Sequence, residues 1–338
     1  MSRKPSKKFI NLFRNRLREY EKRSDQVAKY LKKNPHDWGK YQDEFNLTIN
    51  NIFTEIMQFI ANNDASKVQK LQALFIKRYR DLFLKGSYNL HSLKKPYGYA
   101  GDFEIIDAIY DNSPATLGYE RLFDNYFQMS AISVAVRNRK EDFKRLIIDL
   151  IKSRPNKEIK VMSLACGPCR EVKELFENKL VQNSKVQVYC FDHDQRALDY
   201  AKTVLKGVGT RVHLAQGNAI KMSLSKNIEK MIPHKFDLIY STGLFDYFDH
   251  KVTVKLLGNL RKLLNPGGVL AVSDMRDKHQ NPSVYYMEWV GEWCLVYNND
   301  DEFRSAFREA GFSDKELEFR YEQQGILQYA IASIKGSR

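Results

Sequence analysis

The sequence predicts an α/β protein: a seven-stranded, mostly parallel sheet with an N-terminal helical cap region. Three observations predict it. From residue 159 onward, short apolar runs alternate with amphipathic helical patterns, the order that builds a parallel sheet covered on both faces. Before residue 155 the apolar residues recur only at helical spacing. The first three apolar runs each end in a turn of small, acidic or amide residues, the usual character of ligand-bearing sheet edges.

The elements follow in order. Phe9, Phe13, Leu17 and Tyr20 recur at spacings of four, four and three, one face of a helix whose other face is Arg14, Arg16, Arg18, Lys22 and Arg23. A second helix is predicted over 43–61 and a third over 65–85, with Gly86 suited to the position just past its end. Residues 94–103, dense in glycine and tyrosine, read as a constrained loop in which Asp102 caps the next helix. A long helix over 129–153 is closed by Pro155. Strands are predicted at 159–164, 186–191, 211–215, 236–240 and 268–273, with helices at 171–181, 194–206 and 251–264. A terminal strand pair, LEFRY and LQYAIASI, completes the seven.

A length of 338 residues suits about two domains. The predicted division is 1–155, a helical region with a basic arm at 1–40 and a cap and lid at 41–155, and 156–338, the sheet domain. With 28% charged and 43% hydrophobic residues, the chain is an ordinary globular protein rather than a disordered one. Net charge is +14, and residues 1–40 alone hold 13 Lys/Arg against four Asp/Glu. The basic character therefore bears on docking more than on chemistry, and nucleic acid is not the expected partner. Four cysteines are too few for a secreted disulfide framework, and no uncharged apolar run approaches the ~18 residues of a membrane span. A cytoplasmic location and no transmembrane segment are expected.

The candidate site lies in the turns. The first strand runs into Ala165, Cys166, Gly167, Pro168 and Cys169, small residues that let a ligand approach the backbone at a helix N-terminus. The second ends in Asp192 and His193, where a carboxylate can accept from both hydroxyls of a ribose. The third ends in Asn218 and Ala219, where an amide can read an adenine edge. Together they describe an adenosine-containing ligand. The turn is not the G-x-G-x-x-G of dinucleotide sites. Cys166 and Cys169 also form a C-x-x-C, but no Trp precedes it and no proline lies between Pro168 and Pro233 for a cis-proline loop, so thioredoxin-like chemistry is not expected. No zinc spacing, nucleophile elbow or P-loop occurs, and no metal site is expected.

The segment from Val161 to Cys169 resembles the V-L-D-L-G-C-G-P-G turn of class I S-adenosylmethionine-dependent methyltransferases, as do FDLIYSTGLFDYF and LLNPGGVLAVSD. The resemblance implies a Rossmann-like domain and S-adenosyl-L-methionine as cofactor, with Ser241 at the site. Ser163, Ala165 and Cys169 depart from it, standing where the family has an acidic residue and two glycines. Residues 95–102, SVAVRNR at 133–139, GLFDYF and YYMEWVGEWCLVY resemble a narrower bacterial group. These are the methyltransferases of extracellular-factor biosynthesis, which make 3-hydroxypalmitic acid methyl ester. That implies O-methylation of a small apolar acid, a 3-hydroxy fatty acyl group, under a helical cap.

Tyr97 and Arg137 are candidates for the cofactor's carboxylate end, and Tyr99 for a lid. Tyr285, Tyr286, Trp289 and Trp293, with Tyr247, are candidates for an apolar acceptor wall, against the plainer reading of core packing. A carboxylate acceptor needs no general base. For an amine or hydroxyl, Tyr247, His279 or Asp246 are the catalytic candidates. The basic arm suits an acidic acyl carrier protein; the rival reading is a basic RNA- or membrane-surface module with a vestigial site.

Overall fold

The computed structural model describes residues 7–335, and the chain divides into two compact units. One comprises the described residues of Met1–Ser133 together with Pro282–Cys294; the other is Val134–Asn281 together with Leu295–Arg338, to its last described residue. The division therefore falls earlier than 155, and a segment after the fifth strand joins the helical unit.

The helical unit contains α1 (Lys7–Lys33), α2 (Gln42–Ala61), α3 (Ala65–Arg78), α4 (Arg80–Phe83), α5 (Ser87–Lys94), α6 (Phe103–Asp111) and α7 (Gly118–Met129). Residues 1–6 of the expected basic arm lie outside the described part. The rest of the arm is largely α1, which buries Phe13, Leu17, Tyr20, Val27 and Leu31 along one stripe. Two of its arginines are neutralised within the unit, Arg16 by Glu55 and Arg23 by both oxygens of Glu44. The third expected helix breaks at Tyr79, and Gly86 caps the start of α5 rather than following a helix end. Asp102 caps α6, accepting the Glu104 and Ile105 N–H groups, and holds His91 at 2.7 Å.

Helix α8 (Ala131–Ser153) lies largely in the sheet unit, where Phe143 stands against Tyr240 and Tyr329 at 5.9 and 5.3 Å. That packing is why the boundary precedes the helix body. The strands are β1 (Glu158–Leu164), β2 (Lys185–Asp192), β3 (Val212–Gln216), β4 (Phe236–Ser241), β5 (Leu264–Met275), β6 (Leu317–Tyr321) and β7 (Leu327–Ser333). Their order is β3-β2-β1-β4-β5-β7-β6; β7 is antiparallel to both neighbours and the rest are parallel. The helices between them are α9 (Arg170–Glu177), α10 (Lys179–Gln182), α11 (Gln195–Val204), α12 (Ala219–Leu224), α13 (Ile228–Met231) and α14 (His250–Lys262). Helix α15 (Val284–Val290) returns to the helical unit, and α16 (Asp300–Glu309) to the sheet unit. Ile239, Leu270 and Val272, with Leu256, Leu257 and Leu260 of α14, are fully buried in one core cluster, the apolar burial that holds helix to sheet. Among the described residues no helix is long and apolar enough to cross a membrane.

Candidate active site

The carboxyl ends of β1, β2 and β3 lie side by side at one sheet edge and carry most of the cofactor candidates. In the turn after β1, Ala165, Gly167 and Cys169 are all left-handed, with φ of 55°, 52° and 56°. Alternating left-handed residues curl the chain so that successive N–H groups face one side. Ala165 and Cys169 thus keep the geometry of the glycines they replace, at roughly 1–2 kcal/mol each. A Cβ on Gly167 would meet nothing within 4 Å, so the turn is open to a ligand pressing against its backbone. This fits an adenosine-bearing cofactor.

Asp192 is only 4% exposed. Its Oδ2 accepts the Gly167 N–H and its Oδ1 the Asp194 N–H, both at 3.0 Å. His193 Nδ1 lies 3.3 Å from Oδ1, and that contact raises the imidazole's pKa. The Cys166 N–H donates to the Phe191 carbonyl at 3.0 Å and the Gly217 N–H to the Asp192 carbonyl at 2.8 Å. Asp192 is therefore a latch between turns, with lone pairs left over for ribose hydroxyls. Asn218 caps α12 by accepting the Lys221 N–H at 3.0 Å, beside buried Ala219. Ser241 is buried and its Oγ donates to the Leu164 carbonyl at 2.9 Å, so its hydroxyl is committed to joining β4 to β1. Arg137, on α8, is half-buried, and burial lowers its pKa.

The lid and acceptor-wall candidates other than Tyr247, with Tyr97, belong to the helical unit. Tyr97 packs at a tilt against Phe103 with centroids 4.5 Å apart and its hydroxyl donates to Glu104; Tyr99 is half-buried in the same loop. Tyr285, Tyr286, Trp289 and Trp293 are all buried. Tyr286 packs against Phe53 at 5.2 Å and Tyr126 at 4.9 Å and receives the Asn89 amide; Trp289 packs 5.6 Å from Phe75. For Tyr286 and Trp289 the helical spacing is explained by core packing, which leaves these rings no open face for an acceptor wall.

The ends of β4 and β5 are organised differently. Asp246, in the turn Phe245–Tyr247 after β4, is 5% exposed and its Oδ1 has no hydrogen-bond partner. Asp274, near the end of β5, is 1% exposed; its Oδ2 accepts from the side chains of Asn298 at 2.9 Å and Gln328 at 3.4 Å, and its Oδ1 has no partner. One segment spans both groups: the Val296 N–H donates to the Asp246 carbonyl at 2.8 Å and the Asn298 N–H to the Met275 carbonyl at 3.1 Å. Burial pushes the Asp246 carboxyl up to about 6, with the Arg139 guanidinium pulling the other way. Burial pushes Asp274 up to about 8, opposed by the Asn298 hydrogen bond and reinforced by the charge of Asp246. Both carboxyls are pushed toward the protonated form, Asp274 further than Asp246. Arg139 is buried, its Nε has no partner, and its guanidinium lies 3.1 Å from where a Cβ on Gly243 would sit. A side chain at 243 would press on this guanidinium, which would have to give by a few tenths of an ångström.

Of the three catalytic candidates, Tyr247 is 37% exposed and His279 is exposed in the short turn Lys278–Gln280; Asp246 alone is buried with an unsatisfied oxygen. Asp274 and Arg139 were not singled out as site residues. Their signals are the segments LAVSD and SVAVRNR, which end on them.

Residues 155–321 match the family described as a methyltransferase domain. A solved structure of a possible exported protein from Bordetella parapertussis is 21% identical, with a TM-score of 0.57 over 82% of this chain and 98% of that one. An O-methyltransferase family protein from Burkholderia thailandensis is 15% identical over 62% of this chain and 60% of its own, with a TM-score of 0.44. The magnesium protoporphyrin IX methyltransferase of Synechocystis PCC 6803 with bound SAH is 11% identical over 60% and 87%, with a TM-score of 0.44. The chain matches no curated protein.

Proposed function

We propose that the chain, whose residues 155–321 match a methyltransferase domain, is an S-adenosylmethionine-dependent enzyme that methylates a hydroxyl oxygen of a small molecule, with Asp246 taking the proton. The observation that carries the reading is the pair of buried, unpartnered oxygens, Oδ1 of Asp246 and Oδ1 of Asp274. S-adenosylmethionine supplies an electrophilic methyl group on a sulfonium. In this reading the Gly167 turn receives its amino-acid end, Asp192 and His193 its ribose, and Asn218 and Ala219 its adenine.

Counting donors and lone pairs selects the acceptor. With Asp246 ionised and Asp274 protonated, the first needs a donor and the second an acceptor. A hydroxyl satisfies both: it donates its proton to Asp246, accepts from Asp274 with one lone pair and attacks with the other. The oxygen gains the methyl, the carbon–sulfur electron pair stays on sulfur, and the hydroxyl proton moves to Asp246. A neutral amine has one lone pair and cannot both attack and accept. A carboxylate has no proton for Asp246 and brings a further negative charge beside it. Arg139 offsets the charge of Asp246 without removing that mismatch. The 3-hydroxy acyl substrate that the family resemblance implies carries both groups, and the acid–base pair supports its hydroxyl over its carboxyl. Delivery by an acidic acyl carrier protein has less support than raw charge suggests, because Arg16 and Arg23 are already paired.

The test is the chemistry of the product. Cell extract and 3-hydroxy acids are incubated with enzyme and methyl-labelled cofactor, and the label is challenged with mild alkali. An ether keeps it and is identified by mass spectrometry, as expected. Label released as methanol marks an ester, and label on nitrogen marks an amine; either overturns the reading.

A further inference from the structure

The cysteines that sequence spacing leaves without a role converge in space. Cys166 and Cys169 come from the turn after β1 and Cys190 from β2, and their three sulfurs lie within 4.8 Å of one another. Cys166 is 6% exposed and the other two 0%. Among the described residues no histidine or carboxylate ligand atom joins them within that distance.

We propose that Cys166, Cys169 and Cys190 form a three-sulfur binding site for a soft, trivalent, three-coordinate thiophile, with arsenite as the accessible form. Thiolate sulfur selects soft ions. Zinc takes four ligands in its structural sites, and the trio offers three with two of its members fully out of solvent. Charge separates the remaining ions. Three thiolates carry three negative charges, which a trivalent centre cancels and copper(I) does not. Asp192 faces Cys166 and Glu171 faces Cys190, both acidic, while His213 is the basic group facing Cys190. Extra buried negative charge beside two carboxyl groups is costly, so the neutral tris-thiolate is favoured. The step balances without redox change: As(OH)3 and three thiols give As(SR)3 and three waters. Three As–O bonds break, three As–S bonds form, and each thiol proton leaves with a hydroxide. Occupancy would pin the cofactor turn to β2.

The proposal stands apart from the choice of methyl acceptor. The full chain, reduced and free of oxygen, is incubated with arsenite, desalted and weighed by native mass spectrometry. One arsenic per chain is expected. Cys190→Ser should weaken arsenite binding by at least about tenfold, while calorimetric S-adenosylmethionine binding shows that the variant is folded. X-ray absorption on the unmodified protein needs no variant: three sulfur neighbours are expected, and two sulfurs with one oxygen overturn the site. No uptake, uptake independent of Cys190, or capture of copper(I) and zinc but not arsenite would each overturn it as well.

Discussion

The two ends of the sheet edge handle polar atoms in opposite ways. At the β1–β3 end, both Asp192 carboxylate oxygens accept backbone N–H groups, from Gly167 and Asp194, and the Cys166 and Gly217 N–H groups donate to the Phe191 and Asp192 carbonyls. At the β4–β5 end, Asp246, Asp274 and Arg139 are as deeply buried, yet each keeps an atom with no partner. An unsatisfied buried polar atom costs about 1–3 kcal/mol, so a fold carries several together only where something else repays them. In the proposed reading the satisfied end is the scaffold for the cofactor, and the unsatisfied end is preorganised for a group that arrives, donates one proton and accepts another.

The comparison breaks most visibly at Asp246. Asp246→Asn removes the proton acceptor but keeps the shape, and kcat should fall about 10²–10⁴-fold, with cofactor affinity by calorimetry unchanged. In the unaltered enzyme kcat/KM should rise with pH through about 6, as Asp246 ionises, and fall through about 8, as Asp274 loses its proton. A flat profile would mean that these carboxyls do not touch the reacting group. The matching change at the other end is Asp192→Ala. It leaves the Gly167 and Asp194 N–H groups without an acceptor, at about 1–3 kcal/mol each. Thermal stability and cofactor affinity should therefore fall together, with kcat at saturating cofactor falling much less than for Asp246→Asn.

Glu171 sharpens the contrast, being a buried carboxyl at the satisfied end. The Tyr240 hydroxyl donates to it at 2.9 Å, yet burial raises its pKa from 4.5 to about 7. A carboxyl whose folded pKa is raised keeps its proton in the native state while the unfolded chain has lost it. Stability is therefore lost as pH rises from about 4.5 to about 7. At pH 8 the accumulated cost is about 3 kcal/mol. Glu171→Gln should recover most of it at pH 8 and almost none at pH 4, read from denaturant midpoints at the two values, and should leave kcat unchanged.

How legible this was from sequence depends on whether neighbours in space are neighbours in the chain. The strands and their crossover helices were legible because period and turn chemistry are local. So was the Asp102 cap, two residues before the helix N–H it serves. The third helix was read through Tyr79 because the apolar period continues across the break. Tyr286 and Trp289 followed a true helical period, but the period reports burial and is silent about whether a ring meets core or substrate. Asp246 was legible as a candidate, whereas Asp274 was hidden in an ordinary strand sequence; its unpaired oxygen exists only once Asn298 and Gln328 have taken the other one. The cysteine trio was hidden for a related reason, since its third member comes from the adjacent strand.

The smallest expected effect tests whether the satisfied end stores strain of its own. Ala165 holds φ of 55° without being a glycine. Replacing it with glycine should release roughly 1–2 kcal/mol of left-handed strain. The unfolded chain gains freedom worth about 0.4–1 kcal/mol in return. The difference favours Ala165→Gly by a few tenths of a kcal/mol to about 1.5, a rise in Tm of a few degrees at most. A fall in Tm would mean that the alanine methyl packs usefully and the turn is relaxed. The two ends would then differ in hydrogen bonding alone, and the strain in this edge would have to be sought at Cys169, where any change also dismantles the three-sulfur site.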